Sequence, residues 1–177
     1  LILTASFGNG HNSVSNALKE QIENEQKQTK VVIADILEIV DPNVKNLSSK
    51  MYSELTENYP NVYNRLYDLK VISKNNIIDN IFSNMYYKKI YEYIEFEQPK
   101  VIISTFPLCS CIVSKIKEEY NINLKLITVI TDVVDSWEWI YKNTNLYLVP
   151  TNEIKIRLKN KGIDINSIIV TGIPVKK

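Results

Sequence analysis

The chain has 177 residues, of which 45% are apolar and 23% charged, an ordinary globular balance and enough length for one domain with a real core. Its net charge is +1 and Arg occurs only at positions 65 and 157, so no whole-protein field draws it to nucleic acid and bidentate recognition of bases by Arg is scarcely available. Cys109 and Cys111 stand two apart beside a lone histidine, which excludes a disulfide framework and a zinc set. No stretch approaches the ~20 apolar residues of a membrane span and no signal peptide is visible, so a reducing cytosol is the simplest setting.

In chain order, Leu1–Ser6 is an apolar run ended by glycines and predicts a buried strand. The turn Phe7-Gly8-Asn9-Gly10-His11 follows, and Asn12–Gln26 carries Val14, Ala17, Leu18 and Ile22 at helical spacing. Val31–Ile36 predicts the second strand. Asp41-Pro42 then opens a helical region in which Val44–Lys70, broken at Pro60, and Asn75–Phe96 are the candidates. Val101–Thr105 predicts the third strand, Leu108–Tyr120 a helix after Pro107, and Leu124–Ile130 the fourth strand, ending in Thr131-Asp132. A loop holds Asp135, Trp137 and Trp139. Leu146–Val149, helix Asn152–Lys161 stopped by Gly162, and Ser167–Thr171 complete the series. Strands alternating with helices predict an α/β fold, a parallel sheet with helices on both faces and a helical insertion spanning about residues 43–98. The chain opens on an apolar run without Met and closes just after a strand, which reads as a piece of something longer.

In such a sheet, ligands collect at the carboxyl ends of the strands. Those ends carry Gly8–His11, Asp35, Ser104–Phe106, Thr131–Asp132, Thr151 and Gly172. His11 is the only histidine, a group able to take a proton at neutral pH, and it stands at a helix start; the bland alternative is a ring packed on a neighbouring loop. Asp132 can orient a histidine or bind a sugar hydroxyl, or simply cap a turn. Trp137 and Trp139 can stack on sugars or sit at a membrane surface, or face the core. The tyrosines from Tyr52 to Tyr93, accompanied by Lys45, Lys50, Lys70, Lys74, Lys88 and Lys89, suit either an anionic bilayer surface or a cap over the sheet. Cys109 follows a helix start but reads as a small packing residue. The glycine turn is neither Gly-x-Gly-x-x-Gly nor a P-loop, and no acidic ribose ligand beyond Asp35 is evident, which argues against a dinucleotide enzyme.

The chain resembles the N-terminal domain of monogalactosyldiacylglycerol synthases and the processive diacylglycerol glucosyltransferases. The residues that carry this are Leu3–His11 with Ala17-Leu18, Pro99–Thr105, Val129–Asp132, Trp139-Ile140, Tyr147–Glu153 and Val170–Val175. The resemblance implies a Rossmann-like domain, the N-terminal half of a GT-B fold, with residues 1–177 as the acceptor side and the donor domain absent. It implies an inverting glycosyltransferase that moves a hexose from a UDP-sugar to a diacylglycerol-type lipid. The protein would be cytoplasmic and peripheral on the inner membrane face, with an anionic membrane surface as partner, no nucleic acid, no cofactor and no metal. A non-catalytic lipid- or membrane-binding module of the same fold is the alternative. His11 is implied as the base, Asp132 as its steadying partner, and Gly8, Asn9, Gly10, Phe106, Thr131, Trp137 and Trp139 as substrate-binding residues. Two departures from the family pattern stand out. No histidine follows Thr131-Asp132, and Phe106-Pro107 stands where many members have His-Pro. The 177 residues alone are expected to be inactive.

Overall fold

The computed structural model describes residues 1–6, 10–40, 77–133 and 136–176, with side chains in 77–86 excepted. Six parallel strands form one sheet in the order β2-β1-β3-β4-β5-β6. They are β1 (Ile2–Thr4), β2 (Ile33–Asp35), β3 (Val101–Ser104), β4 (Lys125–Val129), β5 (Leu146–Val149) and β6 (Ile168–Val170). The helices are α1 (Gly10–Glu25), α2 (Ile36–Val40), α3 (Ile77–Glu97), α4 (Pro107–Glu119) and α5 (Asn152–Asn160), with single 3-10 turns at Trp137–Trp139 and Ile165–Ser167. The predicted α/β architecture with a parallel Rossmann-like sheet is therefore the observed one. Strand register pairs Thr4 with Asp35, Leu3 with Ser104, and Ser104 with Thr128.

The strand order sets the geometry of the site. From β1 the chain crosses to β2 on one side, then returns past β1 to β3 and proceeds outward to β6. Right-handed crossovers then put α1 on one face of the sheet and α2 to α5 on the other. The order reverses between β1 and β3, and in sheets of this kind such a reversal marks the ligand crevice at the carboxyl ends. His11, just after β1, and Thr105-Phe106, just after β3, flank it.

Apart from β5, which has its predicted bounds, the strands are shorter than the apolar runs that predict them. Ile36 leaves the sheet directly into α2, a helix the sequence does not announce because its apolar residues continue those of the strand. Asp35 explains the break: its Oδ1 accepts from the Leu37 N–H at 2.9 Å and satisfies a donor at the helix start. At α4, extended Phe106 offers no side-chain cap, and Pro107 takes a first-turn position where its missing N–H costs nothing. Thr151 caps α5 by accepting from Ile154 N–H at 3.2 Å, and Gly162, at φ +96°, receives the chain as it leaves that helix. The helical candidate Val44–Lys70 lies outside the described residues.

The larger core packs α2, α3 and α4 on β1 and β3 through Leu3, Ile36, Ile90, Ile94, Ile102, Ile112 and Ile116. Tyr87, Tyr91 and Tyr93 pack against it, and Tyr91 stacks on Tyr120 at 3.8 Å between ring centroids. These three tyrosines thus serve as a cap over the sheet. Cys109 and Cys111 are buried and unbridged, and burial pushes the Cys109 thiol up, so it is a packing residue and no nucleophile. A second core joins Ile130, Trp139, Tyr147, Val149, Ile154 and Leu158. Ile112 is fully enclosed on α4. Ile112→Ala is expected to lower stability by about 2–5 kcal/mol in denaturant titration, and an unmoved midpoint would contradict this packing.

Candidate active site at the β1–β3 crevice

His11 lies in the first turn of α1, where Gly10 begins the helix without an acidic neighbour in that turn. Its Nδ1 stands 2.8 Å from the carbonyl oxygen of Thr105. A carbonyl can only accept, so Nδ1 carries the proton and Nε2 keeps its lone pair. The hydroxyl oxygen of Thr131, just past β4, stands 3.1 Å from the same nitrogen. Phe106 meets the imidazole edge-on at 4.9 Å between centroids, and Trp139 lies at 6.4 Å. The crevice therefore gathers side chains from the ends of β1, β3 and β4 and from the 3-10 turn.

Two polar clusters hold this arrangement from behind. Ser15 Oγ donates to the His11 carbonyl at 2.9 Å and lies 2.9 Å from Thr105 Oγ1, so one enclosed hydroxyl ties α1 to the end of β3. Just past β1, Asp35 Oδ2 accepts from the Ser6 N–H at 3.0 Å and from the Ser6 hydroxyl. Asn12 Nδ2 donates to Ser6 Oγ at 3.0 Å, and Thr4 Oγ1 donates to Asn12 Oδ1 at 3.2 Å. Asp35 thus anchors both the turn after β1 and the start of α2, with both its oxygens engaged in the scaffold, which leaves it poorly placed to serve as a ribose ligand. The turn after β3 is fixed in the same manner: Ser104 Oγ donates to the Phe106 carbonyl at 2.8 Å and accepts from Ser110 Oγ at 2.8 Å.

Of the sequence-named site residues, the structure brings His11, Gly10, Phe106, Thr131, Asp132 and Trp139 to one edge of the sheet. Gly8 and Asn9 lie outside the described residues, as does Asp135. Asp132 reaches His11 through its field, while the hydrogen bonds at Nδ1 involve Thr105 and Thr131. Trp139 is fully enclosed, and its Nε1 finds no hydrogen-bond partner among the described residues, so it packs in the core near the imidazole and offers no face for stacking on a sugar. Trp137 is half-buried, and Lys161 Nζ lies 4.8 Å from its ring centroid. Sequence reasoning missed Ser15 and gave Thr105 no role. The available signal was Ser15 itself, a hydroxyl one turn after His11 on the buried face of α1.

The sequence pattern of the family described as monogalactosyldiacylglycerol (MGDG) synthase matches residues 11–175. The chain belongs to this family. It is 32% identical over 177 residues to a processive diacylglycerol beta-glucosyltransferase of Staphylococcus haemolyticus (strain JCSC1435), covering 99% of the chain and 44% of that relative. Proteins of the same description from Staphylococcus aureus (strain JH9) and Staphylococcus carnosus (strain TM300) are 30% and 29% identical, covering 99% and 100% of the chain. The chain spans 44% of the length of each of these relatives. His11 and its partners Thr105 and Thr131 all fall inside the segment that matches the family.

Burial pushes the His11 pKa below its ordinary 6.5, against the smaller upward pulls of the Asp132 charge and the Thr105 carbonyl. The neutral ring is thus favoured in the fold, and the unfolded chain binds more protons below pH 6.5. Stability is expected to fall as pH drops from 6.5 through the lower folded pKa, and then to cease responding to this group. Denaturant midpoints across that range, compared with His11→Gln, check the effect. A His11→Gln profile with the same slope would contradict it.

Proposed function

We propose that the protein carrying this chain is an inverting glycosyltransferase that moves a hexose from a UDP-sugar to a diacylglycerol-type lipid. The chain is its acceptor-side half, and a second Rossmann-like domain holds most of the donor. The observation that supports this reading most directly is His11, half-buried at the β1–β3 switch point with its Nδ1 proton committed to the Thr105 carbonyl. Family membership supports the acceptor class, since the relatives are named for diacylglycerol.

His11 Nε2 takes the proton of the lipid hydroxyl as the hydroxyl oxygen forms its bond to the anomeric carbon. The bond from that carbon to the diphosphate oxygen breaks in the same displacement, the configuration inverts, and nucleoside diphosphate leaves with the electron pair. Backbone N–H groups in the first turn of α1, from Gly10 onward, offer the positive end of a helix to the departing charge. Phe106 walls the acceptor side and keeps water from the reacting hydroxyl, with Trp139 enclosed near the imidazole and Trp137 at the rim. Asp132 holds the imidazolium once formed, because its charge favours the protonated ring.

The lipid acceptor places the protein at a bilayer, and we assign it as peripheral on the cytoplasmic face, on an anionic surface. No helix among the described residues is long and apolar enough to cross a membrane. The basic and aromatic residues between Lys45 and Lys74 carry the membrane part of the reading. A lipid-binding module without chemistry would have no use for a base whose tautomer is fixed from two strands.

The test is His11→Ala in the full-length protein, measured as glycolipid formation with vesicle binding followed in parallel. Turnover is expected to fall at least ~100-fold, the usual worth of a general base, with vesicle binding kept. Undiminished turnover would overturn the assignment of His11 as base.

A further inference from the structure

We propose that Thr131 is a positioning residue for His11: its hydroxyl oxygen and the Thr105 carbonyl together grip the Nδ1 proton and hold Nε2 toward the acceptor hydroxyl. This rests on the reading of His11 as the base, and it changes the role that the sequence suggests for Thr131, which was contact with substrate.

The geometry carries it. A single hydrogen bond at Nδ1 leaves the imidazole free to swing about that contact. Here the nitrogen faces two oxygens that arrive from different strands, Thr105 O at 2.8 Å from the end of β3 and Thr131 Oγ1 at 3.1 Å from the end of β4. Thr105 is itself held through its side chain, since Ser15 Oγ touches both Thr105 Oγ1 and the His11 carbonyl at 2.9 Å. Phe106, edge-on at 4.9 Å, closes one side of the ring. Thr131 thus supplies the second point of a two-point grip, and the hydroxyl that makes it is committed to the ring.

The same contact acts on the proton balance. With Nδ1–H facing it, the Thr131 oxygen is an acceptor, and it gains most when the ring becomes a cation. Its contribution is therefore larger in the transition state than in the ground state, which places the effect in kcat and not in KM. Asp132 is the charged group whose field reaches the ring. Glu138, buried on the 3-10 turn next to Trp139, is the other acid on an element packed nearby. Helix α1 brings no charged side chain before Lys19, and α4 none before Lys115.

The experiment compares Thr131→Val and Thr131→Ser with the parent in the full-length protein, reading kcat, KM for a diacylglycerol acceptor, and the pH profile of kcat/KM. Thr131→Val is expected to lower kcat about fivefold, the worth of one ordinary hydrogen bond, with KM unchanged. Its acid limb moves to lower pH, because the imidazolium has lost an acceptor, and Thr131→Ser restores both. A rise in KM with an unmoved acid limb would overturn the proposal and return Thr131 to substrate contact. A Thr131→Val protein that matches the parent in all three also overturns it. Should Thr131→Val fail to fold, Thr131→Ala carries the same comparison. Loss of turnover in His11→Ala with no effect at Thr131 defeats this inference alone, whereas retained turnover in His11→Ala defeats the reading beneath it.

Discussion

A single hydrogen bond, from His11 Nδ1 to the Thr105 carbonyl across 94 residues of sequence, ties together the elements on which the site depends. It closes the crevice that strand order opens between β1 and β3, and it decides which imidazole nitrogen is available to a ligand. Ser15 braces the acceptor side, Asp35 and Ser6 pin the end of β1, and Ser104 pins the turn after β3. Each of these polar groups is buried or partly buried, so each must keep its partner or forfeit the water it gave up.

Burial at this position sets two opposing demands on the histidine. Desolvation keeps the ring neutral and ready to accept a proton, but it also makes the resulting cation costly. Asp132 answers the second demand with charge, and the Thr105 carbonyl answers it with a hydrogen bond that strengthens when the ring ionises. An imidazole balanced in this way stays unprotonated at neutral pH, the state that the proposed role of base requires.

Much of the fold is legible in the residues, for physical reasons that differ by element. Apolar runs bounded by turn residues reveal each strand, and the Pro107 and Gly162 punctuation reveals where α4 begins and α5 ends. Helix α2 is hidden because Ile36, Leu37 and Val40 extend the apolar run of β2, and only the side chain of Asp35 marks the change. Strand order is not a property of any local pattern, so the switch point that makes His11 meaningful emerges only from the pairing of β1 with both β2 and β3. His11, Phe106, Thr131 and Asp132 are visible as strand-end residues, but the division of labour among them is not. Charge suggests Asp132 as the imidazole's partner, whereas the backbone carbonyl of Thr105, which any residue type would present, is what meets Nδ1. Trp139 illustrates the same limit from the other side: its ring is part of a buried core.

The most direct measurement is the tautomer of His11, read from long-range proton–nitrogen NMR correlations of the imidazole at a pH where the ring is neutral. As His11 is the only histidine, the spectrum holds one imidazole pattern. The account predicts a protonated Nδ1 and an unprotonated Nε2. A protonated Nε2 would remove the lone pair from the atom assigned as base and contradict the account at its centre.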